Sequence, residues 1–235
     1  MSAGALPPLP MTPADAIGAV HEERVELDGT VLLIGRPADP DRLLDHPATL
    51  AAFGRDEYMP YWCDLWPAAR MLAKAVLAAD WPAGLKALEL GCGLGLPGVA
   101  ALKKGLHVTF SDYDAAAVAF AAANARRNGL SNFEELAFDW RNPPDRQFPL
   151  ILASDLIYEE RNVAPVVAVV GRLLAPEGEC WLTDQDRRPA ALLREMLSAN
   201  GFEYETQVMR AGQPRGPGQP TPLRMKGTLY RIRRR

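Results

Sequence analysis

The chain has 235 residues, 48% of them hydrophobic and 23% charged, a globular composition that excludes a disordered chain. Its formal net charge of -3 argues against a broad basic surface, so no nucleic-acid partner is expected. The three cysteines lack the paired spacing of a zinc site, and no uncharged apolar run could cross a bilayer. We therefore expect a cytoplasmic protein with no metal and no membrane contact.

The first 60 residues are interpreted as an extension that precedes the main domain at residues 61–235. Prolines indicate a loosely held arm up to about Ala14: Pro7, Pro8, Pro10 and Pro13. Asp28 and Gly29 lie between two β-prone runs and predict a β-hairpin within Val25–Pro37.

An amphipathic helix is predicted from Asp64 to Ala79, with Asp64 as its cap and Pro67 in its first turn. Its apolar face consists of Leu65, Ala68, Leu72, Ala75, Val76 and Ala79.

Strands and helices then alternate from Lys86 onward, which predicts an α/β fold with a mostly parallel, doubly wound sheet. The predicted strands are Lys86–Leu90, His107–Ser111, Phe133–Phe138, Leu150–Ser154 and Cys180–Thr183. The predicted helices are Gly98–Lys104, Ala115–Asn128, Val163–Leu174 and Pro189–Asn200. Gly105, Gly129 and Gly201 follow three of these helices, where a left-handed residue is favoured.

Two further strands, Phe202–Met209 and Met225–Arg233, have no helix between them and should pair as an antiparallel hairpin. Residues 211–222 join them and are rich in Pro and Gly, as in a surface loop. Arg231, Arg233, Arg234 and Arg235 fit a strand that ends in solvent better than a polyanion site.

The segment LELGCGLGLPG, Leu88–Gly98, lies between a predicted strand and a helix and indicates a nucleotide-like ligand. Gly93, Gly95 and Gly98 also satisfy the dinucleotide fingerprint, which leaves a nicotinamide or flavin enzyme as an alternative. Glu89 favours a ligand with a cationic amino-acid portion over a pyrophosphate, because a carboxylate attracts a positive group. The pattern therefore favours S-adenosylmethionine.

Polar residues also follow the next three strands, at the edge where open α/β sheets bind ligands. Asp112 is assigned to the ribose hydroxyls, and Asp114 to the cap of the following helix. Asp139 and Trp140 are candidates for contact with adenine. The fourth strand runs into Ser154, Asp155 and Tyr158, which are predicted to lie at the reaction edge.

Four segments make the chain resemble the seven-strand class of S-adenosylmethionine-dependent methyltransferases, and within it the family-16 group of mostly protein-lysine methyltransferases. They are LWPAARMLA at Leu65–Ala73, LELGCGLGLPG, Asp139-Trp140, and the DxxY string from Asp155 to Tyr158. The resemblance implies a cofactor pocket lined by Trp66, Gly91, Cys92, Gly93, Asp112, Trp140 and Ser154. It also implies that Asp155 and Tyr158 face the acceptor and that the C-terminal hairpin completes a seven-stranded, Rossmann-like sheet.

The expected reaction is direct, in-line transfer of a methyl group to the neutral amine of a lysine in a protein substrate. Asp155, aided by solvent, is expected to orient the amine and accept its proton, while Tyr158, Trp62 and Trp66 offer ring faces to a cation. Simple packing is the alternative for Trp62 and Trp66. A small-molecule N-methyltransferase, a nicotinamide-dependent oxidoreductase and a non-catalytic cofactor-binding module remain alternatives. No family motif is recognised before Tyr61.

Overall fold

A computed structural model of the chain describes residues 12–211 and 225–235, apart from the side chains of residues 55 and 56. It consists of one seven-stranded sheet with helices on both faces and an additional N-terminal hairpin. In chain order the first elements are α1 (Ala14–Ile17), β1 (Val20–Leu27), β2 (Thr30–Pro37), α2 (Pro40–Leu44), α3 (Pro47–Asp56), a 3-10 turn (Tyr61–Cys63) and α4 (Pro67–Ala78). Then follow β3 (Lys86–Leu90), α5 (Leu96–Lys103), β4 (His107–Asp112), α6 (Ala115–Arg127), β5 (Phe133–Ala137), β6 (Phe148–Ser154), α7 (Glu160–Leu173), β7 (Leu174–Asp184), α8 (Ala190–Ala199), β8 (Phe202–Ala211) and β9 (Met225–Arg234).

The sheet has the strand order β5-β4-β3-β6-β7-β9-β8, and its first five strands are parallel. Strand β9 pairs antiparallel with both β7 and β8. Helices α4, α5 and α6 cover one face of the sheet, and α7 and α8 cover the other. The chain leaves β3 toward β4 on one side and later returns to β6 on the other, so a crevice opens at the carboxyl ends of these strands. The predicted fold is confirmed.

Most predicted elements agree with the structure to within a few residues, because their apolar periods are strong. The φ angles of Gly105, Gly129 and Gly201 are +86°, +72° and +77°, as expected for residues that end helices. The prediction for Asp64 was wrong. Helix α4 begins at Pro67, and the exposed Asp64 carboxylate instead lies 3.6 Å from the guanidinium of Arg36.

The N-terminal extension packs against the helices instead of standing apart from them. Its hairpin turns at Asp28 and Gly29, whose φ angles are +46° and +83°; β1 begins five residues before the predicted Val25, and β2 ends at Pro37 as predicted. The side chain of the buried Asn124 of α6 accepts a hydrogen bond from the Gly35 N-H (2.7 Å) and donates one to the Gly35 carbonyl oxygen (3.0 Å). Helices α2 and α3 were not predicted.

The arm predicted up to about Ala14 falls mostly on residues 1–11, outside the described residues. Thr12 is described, and there the prediction was wrong, because Thr12 is 6% exposed and hydrogen bonded to Asp114. The predicted loop at residues 211–222 also lies outside the described residues, except for Ala211 at the end of β8.

The arginines of the C-terminal strand β9 make contacts within the fold. The guanidinium carbon of Arg231 lies 4.5 Å from the ring centroid of Trp181. Arg234 donates to the carbonyl oxygens of Gly171 and, at 3.1 Å, Leu174. These contacts agree with a strand end rather than a site for a polyanion. Across the described residues, no helix has the length and apolarity needed to span a membrane.

Candidate active site

The loop between β3 and α5 forms the floor of the crevice at the carboxyl edge of the sheet. Gly91, Gly93 and Gly95 have φ angles of +61°, +49° and +78°, which other residues rarely adopt. A Cβ atom on Gly91 would lie 2.5 Å from a methyl group of Leu156, so side chains are excluded there by space as well. The backbone of this loop can therefore approach a ligand closely, beside the N-terminus of α5.

Glu89, at the penultimate position of β3, lies beneath this loop and is only 1% exposed. Its Oε2 accepts a hydrogen bond from the Gly98 N-H at 2.9 Å, and its Oε1 has no partner among the described residues. Burial raises the pKa of Glu89 well above its usual range; the Gly98 N-H lowers it and Asp112 raises it further. Glu89 is thus a buried carboxyl group that holds α5, and its contact with the cofactor stays a prediction. Its unpaired oxygen still fits a cationic ligand, because a buried acceptor requires a donor.

Asp112, the last residue of β4, points its carboxylate into the same crevice. Its Oδ2 accepts from the Gly93 N-H at 2.9 Å, and its Oδ1 accepts from the Asp114 N-H at 3.1 Å. Burial outweighs these bonds and raises the pKa of Asp112 to about 6. The backbone N-H of Tyr113 is a third donor to this carboxylate, so of its roughly four acceptor positions about one remains for a hydroxyl of a ribose. The Cys92 thiol nearby is buried, and burial raises its pKa as well.

The structure brings Asp139 and Trp140 to the end of β5, but the Asp139 carboxylate is already engaged. The Nε of Arg141 donates to its Oδ1 and Oδ2 at 2.9 and 2.8 Å. Burial raises the pKa of Asp139, but the bonds from Arg141 outweigh it and hold that pKa below its usual value. Asp139 is therefore the partner of an arginine, and its contact with adenine stays a prediction. Trp140 is half-buried against the core beneath α7 and α8.

Asp155 follows β6 directly, in a left-handed conformation with a φ of +56°, and is 7% exposed. Its carboxylate accepts from Gln185 Nε2 at 2.6 Å and from the Nε and Nη2 of Arg187 at 3.1 and 3.2 Å. The bonds to Asp155 raise the pKa of Arg187. Both partners follow β7 and were missed from the sequence. They could have been found only from the parallel pairing of β7 with β6, which brings the carboxyl ends of both strands to the same edge of the sheet.

Three aromatic rings, here called the aromatic mouth, form a cluster that is linked to this carboxylate through Arg187: Tyr61, Trp66 and Tyr158. The ring centroid of Tyr61 lies 6.3 Å from that of Trp66 and 5.7 Å from that of Tyr158. The guanidinium carbon of Arg187 lies 5.9 Å from the Trp66 centroid. Tyr61 and Tyr158 are each 39% exposed, so the mouth opens to solvent. Tyr61 was also missed as a candidate.

Trp62 does not belong to the aromatic mouth. It is 7% exposed, its ring packs 5.1 Å from that of Phe120, and its indole N-H donates to Asp114 at 3.1 Å. The expectation that Trp62 offers a ring face to a cation is therefore corrected: the ring packs inside the protein. Asp114 caps α6 as predicted, since its Oδ1 accepts from the Ala116 N-H at 2.8 Å.

Comparisons with known proteins agree with this geometry. Residues 59–194 match a family model described as lysine methyltransferase. A histidine protein methyltransferase 1 homolog of Dictyostelium discoideum is 30% identical over 109 residues, which are 43% of this chain and 35% of that protein. A ubiquinone biosynthesis O-methyltransferase of Pseudomonas aeruginosa is 28% identical over 132 residues, 55% of this chain and 56% of that protein. The chain therefore spans about a third to about a half of these relatives.

Solved structures share the fold at low sequence identity. A TehB-like S-adenosylmethionine-dependent methyltransferase from Corynebacterium glutamicum superposes with a TM-score of 0.53 and 20% identity. The match covers 79% of this chain and 92% of that one. The shared region therefore contains most of both chains.

Proposed function

Because this chain belongs to the lysine methyltransferase family, whose cofactor is S-adenosylmethionine, we propose that it methylates the side-chain amine of a lysine in a protein substrate. The observation that carries this proposal is the solvent-open aromatic mouth, linked through Arg187 to the Asp155 carboxylate at the edge of the sheet where the glycine loop lies. We propose that the acceptor nitrogen lies in this mouth and that the cofactor lies beside it, at the glycine loop.

The cofactor would be held by residues that follow β3 and β4. We propose that the Gly91–Gly93 backbone approaches it closely, that Asp112 accepts from its ribose hydroxyls, and that buried Glu89 acts through the loop above it. The other proposed pocket residues are Trp66, Cys92, Asp139, Trp140 and Ser154. When bound, S-adenosylmethionine supplies an electrophilic methyl group. The unpaired Oε1 of Glu89 supports a ligand with a cationic group.

We favour a protein side chain over a small molecule as the acceptor because the aromatic mouth is open at the surface. Sites for small molecules usually bury most of the ligand, whereas Tyr61 and Tyr158 remain 39% exposed at the rim. A lysine has a long apolar stem, which can lie along such rings while its nitrogen reaches Asp155. The rings would also favour the partial positive charge that develops on the nitrogen during transfer.

The ion pair between Asp155 and Arg187 bears on the charge of the acceptor. A lysine arrives mostly as an ammonium, but only the neutral amine is a nucleophile. The guanidinium of Arg187 offsets the charge of Asp155, so the pair does not favour a second cation. We therefore propose that Asp155 accepts a hydrogen bond from the neutral amine and orients it, while the proton leaves through the solvent-open mouth.

A small-molecule acceptor is the second candidate, because one matched relative is a ubiquinone biosynthesis O-methyltransferase. The glycine loop and Asp112 would serve both functions equally. Only the acceptor side distinguishes the candidates, so the acceptor itself has to be identified. Family membership argues against a nicotinamide-dependent oxidoreductase.

The decisive experiment incubates the purified enzyme with a protein lysate and isotopically labelled S-adenosylmethionine, and locates the label by mass spectrometry. We expect labelled lysine side chains. Asp155→Asn should lower turnover by about 100-fold through loss of orientation, with nearly unchanged affinity for S-adenosylhomocysteine. Asp145→Asn is the matched control, because Asp145 is exposed and pairs only with the exposed Arg172 among the described residues. Label on small molecules alone would refute the protein acceptor.

A further inference from the structure

The Asp114 carboxylate joins the N-terminal extension to the cofactor side of the sheet. It is fully buried and accepts hydrogen bonds from the Thr12 N-H (3.1 Å), the Trp62 indole N-H (3.1 Å) and the Tyr58 hydroxyl. Burial, together with the Asp114 charge, raises the pKa of Tyr58, so its hydroxyl stays protonated and donates. A buried carboxylate requires such donors; the Thr12 hydroxyl is another, so three residues before α4 supply four of them.

Asp114 in turn fixes the carboxylate assigned to the ribose. Its backbone N-H donates to Asp112 Oδ1 at 3.1 Å, while the Gly93 N-H donates to Asp112 Oδ2 at 2.9 Å. The Trp62 carbonyl oxygen lies 3.4 Å from the position that a Cβ atom on Gly93 would occupy. The extension is therefore connected to the cofactor loop through Asp114, and Trp62, which follows the extension and also bonds Asp114, contacts that loop directly.

Two of these three donor residues lie outside the region that defines the family. The family match covers residues 59–194, so Thr12 and Tyr58 precede it, and only Trp62 falls within it. Nothing in the family assignment therefore gives the extension a role at the cofactor site. The contacts with Asp114 supply that role.

We propose that Asp114 is a positioning residue for the cofactor, and that docking of Thr12 and Tyr58 on its carboxylate preorganises Asp112 and Gly93 to bind the adenosyl group. This inference rests on the proposed assignment of Asp112 to the ribose. Coupling between two binding events is reciprocal. The cofactor should therefore strengthen docking of the extension by the same factor by which docking strengthens cofactor binding.

The test measures the affinity for S-adenosylhomocysteine by calorimetry in the full chain. Tyr58→Phe removes one hydroxyl and should weaken binding by about 5-fold or more. Tyr204→Phe is the matched control, because Tyr204 lies on β8 and packs on Tyr230, far along the sheet. Its affinity should equal that of the wild type.

A double-mutant cycle separates positioning from general loosening of the fold. If Tyr58 acts through Asp112, then Tyr58→Phe weakens binding in the wild type but causes no further loss in the Asp112→Asn background. Equal losses in both backgrounds, or none in the wild type, would overturn the coupling while leaving the proposed function intact. Failure of the wild type to bind S-adenosylhomocysteine would overturn both.

Hydrogen exchange provides an independent measurement of the reciprocal effect. In the wild type, S-adenosylhomocysteine should slow exchange of the amides of residues 58–63, and this protection should shrink in Asp114→Asn. Unchanged exchange on ligand binding would contradict the proposal even if Asp114→Asn folds poorly, because the wild-type comparison does not need the variant.

Discussion

The pKa of Asp112 predicts how cofactor affinity depends on pH. Burial raises this pKa to about 6, whereas ribose hydroxyls donate best to the ionised carboxylate. Affinity for S-adenosylhomocysteine should therefore be constant above about pH 7 and fall as the pH drops through about 6. Asp112→Asn should bind more weakly and lose this dependence.

The expected size follows from the fraction of Asp112 that is ionised. At pH 5, a carboxyl with a pKa of about 6 is about one-eleventh ionised, so affinity should fall about 10-fold, or about 1.4 kcal/mol. The contribution of Asp112 to the stability of the fold depends on pH in the opposite direction. Because the folded pKa lies above the ordinary 3.8, this group stabilises the fold fully below about pH 3.8 and loses that contribution as the pH rises through about 6.

Calorimetry from pH 5 to 8, in buffers that differ in ionisation enthalpy, measures both the affinity and the protons released on binding. Near pH 6 the wild type should release a proton from Asp112, and Asp112→Asn should not. Glu89→Gln is the necessary control, because burial raises the pKa of Glu89 as well. A flat wild-type profile, or a step at pH 6 that survives in Asp112→Asn and disappears in Glu89→Gln, would refute the reasoning.

Three further predictions concern the loop, the mouth and the extension. Gly98→Ala would place a methyl group against the Glu89 carboxylate and should cost about 1–3 kcal/mol of unfolding free energy, measured by denaturation; no loss would mean that α5 shifts freely. Arg187→Gln should move the pH profile of kcat on a lysine-containing protein to higher pH by about one unit, because the unpaired carboxylate then favours the ammonium; a shift to lower pH contradicts this. Asn124→Ala should lower stability by about 1–3 kcal/mol, since the buried Gly35 N-H and carbonyl lose their partner; a variant as stable as wild type would show that water replaces them.

The regular part of the fold was predictable because its signals are local. Strand β3 was predicted with the same bounds as observed, and β4 to within one residue, since buried parallel strands appear as short apolar runs between glycine-marked helices. The glycine loop was equally visible, because its conformation depends on residues that are adjacent in sequence.

The missed features depend on contacts between distant residues. Arg187 and Gln185 meet Asp155 only because β7 pairs with β6, and a charged residue after a strand is ordinary in sequence. Thr12 lies 102 residues before Asp114, and no periodicity links the two. Glu89 was placed at the correct strand end, but its depth beneath α5 depends on Gly98 packing above it.

The strand order reverses between β3 and β6, so most of the proposed cofactor contacts and most of the proposed acceptor contacts lie on different sides of this point. Residues after β3 and β4 would bind the cofactor, which all members of the class share. Asp155, Gln185 and Arg187, after β6 and β7, would contact the methyl acceptor, which differs between enzymes. Trp66 and Ser154 of the proposed cofactor pocket adjoin this second group, because Trp66 contacts Arg187 and Ser154 precedes Asp155, so only substitutions that spare these two residues would preserve the proposed cofactor contacts. Such an arrangement would allow the acceptor specificity to change, by evolution or by engineering, while the cofactor site stays the same.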